Sequence, residues 1–213
     1  MKQPQPKHIA WIKAALFVAC LVPLARLGWL ATHRGLGANP IEYITHSTGW
    51  WTLALLLVTL SVTPLRRVTG AAWLLRLRRM LGLFAFFYAC LHFTTYIWLD
   101  QFFDLGSIVK DVAKRPFITI GFAAFLLLIP LAATSTNAMV RRLGAQRWQR
   151  LHRLVYVIAT LGVLHFWWLV KKDIREPLLF GGLLLVLLLA RAIYARRQQR
   201  LAAGTRAASP RAG

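Results

Sequence analysis

Six stretches of about twenty mainly apolar residues, each long enough to cross a bilayer as a helix, constrain this chain more than any other feature. They fall at 10–31, 47–64, 77–99, 117–135, 150–170 and 177–195. A lipid-immersed backbone must satisfy its own hydrogen bonds, so runs of this length fold as helices. The expected fold is an all-α polytopic membrane bundle of six transmembrane helices. Its divisions are a short N-terminal segment over 1–9, the helical domain over 10–195 and a tail over 196–213. The tail, rich in Ala, Gly and Ser, is expected to be disordered and basic. The second run is the shortest and is expected to end at Pro64; Pro23 and Pro130 are expected to kink their helices.

The first run follows Lys2, Lys7 and Lys13 and imitates a signal peptide. It continues from Ala10 to Ala31 without a clean small-x-small cleavage site, so it is read as a retained span.

The arrangement of charge sets the orientation. Net charge is +21, yet 58% of residues are apolar, which leaves little water-facing surface for phosphates and excludes a nucleic-acid partner. Arg66, Arg67, Arg76, Arg78 and Arg79 separate the second and third runs without an acidic residue among them. Arg141, Arg142, Arg147 and Arg150 do the same between the fourth and fifth. Arg196, Arg197, Arg200, Arg206 and Arg211 follow the sixth. All 6 acidic residues lie on the other side, where Asp100, Asp104 and Asp111 balance Lys110, Lys114 and Arg115. By the positive-inside rule both termini are cytoplasmic. Arg26 and Arg191 lie near the ends of their runs, where a long side chain snorkels to the headgroups. Trp50, Trp51, Trp98, Trp167 and Trp168 gather near the outer boundary, as an interfacial aromatic belt does.

The two cysteines, Cys20 and Cys90, sit inside apolar runs and form no CxxC or CxxCH, so zinc, thioredoxin-type and covalently attached haem chemistry are unsupported. Histidines carry more information. His8, His33 and His46 fall at the ends of runs, where solvated roles suffice. His92 lies eight residues before Asp100, and His165 six before Lys171, at the outer ends of runs three and five. Those runs point the same way, so the two imidazoles should reach similar depth. Ionisable groups at membrane depth are functional by default. A pair at one level suits either a bis-histidine haem, with both axial positions filled, or an interhelical hydrogen bond. His152 opens run five, thirteen residues and about 20 Å before His165. The matching position thirteen before His92 is Arg79, so a second bis-histidine site lacks its obvious ligand. His152 is left to a propionate, a flavin phosphate or a differently ligated haem.

The stretches RRMLGLFAFFYACLHF, LAATSTNAM, LGAQRWQRLHRLVYVIATLGVLHFWW and HRGLGANPIEYITHSTG together resemble one family. It is that of the haem-binding membrane subunit of bacterial periplasmic protein-methionine-sulfoxide reductase systems, the MsrQ/YedZ family. That family falls within the ferric-reductase-like transmembrane domains shared with NADPH oxidases and eukaryotic ferric reductases. The resemblance covers nearly the whole chain apart from the termini. It implies a multi-pass protein of the bacterial inner membrane, in contact with membrane lipid. It also implies b-type haem associated with His92, His152 and His165, and FMN, for which the sequence offers no separate motif. Electrons would arrive from a cytoplasmic NAD(P)H flavin reductase and leave to a periplasmic molybdopterin-containing catalytic subunit that repairs methionine sulfoxide. On this reading the chain is an electron-transfer subunit rather than the catalytic one. The alternatives are a stand-alone transmembrane metal reductase and a non-redox transporter or assembly factor using its histidines in a proton or substrate pathway. The near-absence of paired acidic groups in the spans weighs against the latter.

Overall fold

The computed structural model describes residues 4–170 and 173–208. Among them, six helical spans have the length and apolar composition to cross a membrane: Pro6–Thr32, Pro40–Thr69, Ala72–Asp100, Pro116–Ala133, Ala145–Leu169 and Arg175–Leu201. The chain is an all-α, multi-pass membrane protein.

Helix α1 (Pro6–Thr32) begins with proline at its first turn, where the missing N–H would have no intrahelical partner. Pro23 interrupts it, and a side chain from elsewhere enters the break. The buried Tyr88 hydroxyl donates to the Cys20 carbonyl at 2.7 Å and accepts from the Leu24 N–H at 3.2 Å. One phenol thus bridges two groups of α1 that are four residues apart. In α2 (Pro40–Thr69), Asn39 caps the start by accepting from the Glu42 N–H. The helix ends at Gly70, whose φ of 70° places it in the left-handed region. Pro64 does not end this helix. It sits inside, and five more residues follow it before the glycine stop.

A short 3-10 turn, Ala72–Leu74, leads into α3 (Leu75–Thr95), which finishes in a wider π turn at Tyr96–Asp100. The outer connection between the third and fourth runs contains a helix, α4 (Leu105–Lys114). Asp104 caps it by accepting from the N–H groups of Gly106 and Ser107. Then come α5 (Pro116–Ala133), the short α6 (Asn137–Leu143) and α7 (Ala145–His152), and α8 (Leu154–Leu169). Run five is therefore two helices broken at Arg153, with His152 ending the first. Helix α9 (Arg175–Ala208) continues well past 195. The expected disorder over 196–213 meets helix as far as Ala208; residues 209–213 lie outside the described residues, as do 1–3, Lys171 and Lys172.

Two tight pairs organise the bundle: α2 lies along α3, and α5 lies along α8. Helix α9 leans on α2 and α8, while α1 packs more sparsely against α2 and α3. The shared core holds Leu53, Leu56, Leu81, Ala85, Tyr88, Ile158 and Ala159. The outer faces of α1 and α9 carry exposed Val18, Val22, Leu179, Leu185 and Val186. Such faces suit hydrocarbon, where burial between helices brings little hydrophobic gain and close packing decides association.

Candidate metal centre

The α2–α3 and α5–α8 pairs each deliver one histidine to the centre, by the same local device. His92 projects from α3 toward α2, and its Nδ1 lies 2.9 Å from the Thr45 carbonyl. Thr48, buried beside it, spends its own hydroxyl on the Ile44 and Thr45 carbonyls at 2.8 and 3.0 Å and stands 3.5 Å from the same Nδ1. His165 projects from α8 toward α5, with Nδ1 2.7 Å from the Phe117 carbonyl. A carbonyl only accepts, so each Nδ1 carries the proton and donates. The other nitrogen, Nε2, is thereby left with its lone pair free. It makes no hydrogen bond in either ring among the described residues.

Four residues after each accepting carbonyl stands a glycine. A Cβ on Gly49 would come within 3.0 Å of the His92 Cε1 and 3.1 Å of its Nδ1; one on Gly121 would come within 2.7 Å of the His165 Nδ1. These glycines let each imidazole lie flat against a helix backbone and reach its carbonyl. A sequence reading aimed at histidines passes over them, although a glycine within an apolar span is a visible signal.

The two rings are neighbours in a T-shaped arrangement, with centroids 6.2 Å apart and planes 80° apart. A metal–imidazole bond of about 2.0–2.1 Å, with the ring centre about 1.1 Å beyond the nitrogen, sets ring centres roughly 6.3 Å apart when two imidazoles share one metal in trans. The spacing of the two rings, taken alone, is compatible with both imidazoles reaching one metal ion. Fixing each tautomer through an Nδ1–H to carbonyl bond is what metal-ligating histidines usually require.

The remaining candidates are placed elsewhere. The His152 ring stacks on Trp148 at 3.8 Å, with Nδ1 3.0 Å from the Trp148 carbonyl. Its Nε2 is buried without a hydrogen-bond partner, with Arg78 and the Leu131 backbone as its polar neighbours. Arg79 donates to the Asn137 side chain at 2.6 Å. No group of three His, Cys, Asp or Glu residues that could hold a metal ion occurs among the described residues. His46 sits at the outer rim, 3.8 Å from Glu176 and edge-on to Phe166. The exposed His33 stacks on Trp29, and His8 is exposed. Trp98, Trp167 and Trp168 are exposed as belt residues are, whereas Trp50 and Trp51 pack against each other, with Trp50 also meeting Phe180.

A family model described as "Ferric reductase like transmembrane component" matches residues 48–163, which take in His92 and His152 and stop just short of His165. Over 207 residues, 95% of each chain, the sequence is 58% identical to a protein-methionine-sulfoxide reductase heme-binding subunit MsrQ from Herminiimonas arsenicoxydans. It is 57% identical over 185 residues to the subunit of the same name from Ralstonia nicotianae, covering 86% of this chain and 85% of that one. It is also 57% identical over 184 residues to that of Bordetella pertussis, covering 85% of this chain and 89% of that one.

Proposed function

Because the chain belongs to the MsrQ haem-binding subunits of the ferric-reductase-like transmembrane family, we propose that it carries electrons across the bacterial inner membrane within a methionine sulfoxide reductase system. The donor on this reading is a cytoplasmic NAD(P)H flavin reductase. The acceptor is a periplasmic molybdopterin-containing catalytic subunit acting on oxidised methionine. Both termini lie in the cytoplasm, as the arginine-rich loops require.

The observation that carries the proposal is the pair of imidazoles 6.2 Å apart, each with Nδ1 committed to a backbone carbonyl. Bound b-type haem supplies reversible one-electron chemistry at this place. His92 and His165 would hold its iron through Nε2, and two histidine ligands leave no open position for oxygen. The Thr45 and Phe117 carbonyls keep each ring in the ligating tautomer and raise its basicity. The surrounding apolar helices exclude water, which together with axial ligation sets the potential. His152 offers a third nitrogen lone pair nearer the cytoplasmic side, on a ring already held by Trp148. FMN belongs to the reading through the resemblance, and no residue of this chain is assigned to it.

The test is haem content per chain and the reduced-minus-oxidised spectrum of protein purified in mild detergent. Wild type should show a low-spin b-type spectrum. His92→Ala and His165→Ala should each lose it while remaining in the membrane fraction. An unchanged spectrum in either variant would overturn the ligand assignment, and a wild-type protein that takes up no haem would overturn the function.

A further inference from the structure

The span that carries His92 ends at Asp100 and the next begins at Pro116, so the connection over 101–115 leaves the bilayer boundary and returns to it on the same side. Helix α4 fills most of that connection and is held at the boundary from both ends. Before it, the Phe103 N–H donates back to the Ile97 carbonyl and the Asp104 N–H to that of Gln101, each at 2.9 Å. Phe102 and Phe103 stand at φ of 49° and 61°, a region that bulky residues rarely adopt, and the chain turns sharply there. After it, Arg115 alone separates α4 from α5. Side chains add further ties. Asp111 accepts from the Gln101 amide at 3.2 Å and pairs with Arg115 at 3.4 Å, and the Thr119 hydroxyl donates to the Val112 carbonyl.

At about 100° per residue, Leu105, Ile108, Val109, Val112 and Ala113 share one arc of α4. Ser107, Lys110, Asp111 and Lys114 share the opposite one. Ile108 and Val112, at one edge of the apolar arc, are half-buried, whereas Leu105 and Val109 at the other edge are 75% and 68% exposed. Phe102 and Phe103, just before the helix, are 78% and 62% exposed. Four large apolar side chains within eight residues thus lack protein cover at the level of the membrane surface, and leaving them in water is costly. The charges argue against a soluble protein as their cover. Asp100, Asp104 and Asp111 balance Lys110, Lys114 and Arg115, which leaves no net field to steer a charged partner onto this end.

We propose that α4 and the Phe102–Phe103 turn form an interfacial anchor whose partner is the phospholipid surface of the outer leaflet. Amphipathic helices of this kind lie in the plane of the interface, with the apolar face sunk about 5–10 Å into the boundary between headgroups and acyl chains. Phe102, Phe103, Leu105 and Val109 occupy that boundary, at the level marked by the exposed Trp98 of the aromatic belt. Lys110 and Lys114, on the opposite arc, extend to headgroups and water. The anchor needs no cofactor and stands whether or not the histidines hold haem.

The experiment places single cysteines at 103, 105, 109, 110 and 114 of the full chain in phosphatidylcholine nanodiscs and measures their reaction with a membrane-impermeant maleimide. The native chain is the blank, since Cys20 is buried and Cys90 half-buried within their spans. Returning one Val-sized side chain from hydrocarbon to water shifts a population about tenfold or more, so Phe103→Cys, Leu105→Cys and Val109→Cys should react at least about tenfold more slowly than Lys110→Cys and Lys114→Cys. A fluorophore attached at 109 in detergent before reconstitution should be quenched by lipid carrying a nitroxide near its headgroup and spared by aqueous iodide, with the reverse at 110. Positions 103, 105 and 109 are tested singly, so a variant that does not fold is replaced by its neighbour on the apolar side. Equal reaction rates on the two arcs, or iodide quenching at 109 with no effect of the nitroxide lipid, would overturn the anchor and give this face to a soluble protein instead.

Discussion

Gly121→Ala should strip the metal centre while leaving the helix that carries the change intact. The added methyl would stand 2.7 Å from the His165 Nδ1 and 2.8 Å from its Cε1, against an ordinary contact of about 3.5–4.0 Å. The ring must retreat by about 0.8 Å or more. That distance is several times the roughly 0.2 Å of latitude in a metal–ligand bond. The same retreat, if directed along it, stretches the 2.7 Å bond to the Phe117 carbonyl to about 3.5 Å, the outer limit of hydrogen bonding. Loss of such a supporting contact lowers metal affinity about 10- to 100-fold, or about 1.4–2.8 kcal/mol.

General destabilisation cannot produce this result, because alanine inside a helix is more favourable than glycine by about 1 kcal/mol. The variant should therefore be depleted of haem but no less folded. The assay is haem per chain by pyridine haemochrome, paired with the low-spin optical spectrum. A graded series sharpens it. Gly49→Ala, with contacts of 3.0 and 3.1 Å to the His92 ring, should lose less, and Gly182→Ala, with nothing within 4 Å, should match wild type. A Gly121→Ala protein with full haem and an unshifted spectrum would refute the claim that these rings are seated by the glycines.

Three further outcomes follow from the same geometry. His152→Ala should leave the low-spin spectrum of the His92–His165 pair unchanged, since its ring stacks on Trp148 away from that pair; loss of that spectrum would place His152 among its ligands. Tyr88→Phe removes the hydroxyl that bridges Cys20 and Leu24 in α1 and should cost about 1–3 kcal/mol in denaturant unfolding in mild detergent, with an unchanged midpoint counting against the bridge. Reporter fusions should give active alkaline phosphatase when joined within α4 near Ile108 and inactive enzyme when joined near Gly144; the reverse pattern would invert the orientation.

Most of the fold was legible because lipid imposes a length rule that apolar runs obey directly. The departures have separate causes. Pro64 lies inside α2, and the helix ends only where Gly70 adopts a positive φ. Helix α4 was overlooked because its ten residues are too few to span a membrane, although Asp104 followed by Gly106 and Ser107 is a readable cap. The helix over 196–208 runs where Ala, Gly and Ser suggested disorder. There the chain simply continues α9, and extending a helix is far easier than starting one.

The histidine pair was legible for a physical reason and its seating was not. Two imidazoles in the outer halves of parallel spans announce themselves by their expense in hydrocarbon, and counting residues inward from the charged ends sets their level. Which nitrogen faces the metal depends on a carbonyl from a different helix, some forty-seven residues away for His92 and forty-eight for His165. Backbone carbonyls carry no sequence signature. What the sequence does carry is the consequence, a glycine at 49 and another at 121, each four residues after the carbonyl its histidine uses. Helical geometry places residue i+4 directly above the carbonyl of residue i, so any side chain there would occupy the space the ring needs. A glycine within an apolar span, one turn beyond a carbonyl, is therefore the mark to seek beside an intramembrane histidine. In this chain it occurs in both helix pairs that build the site.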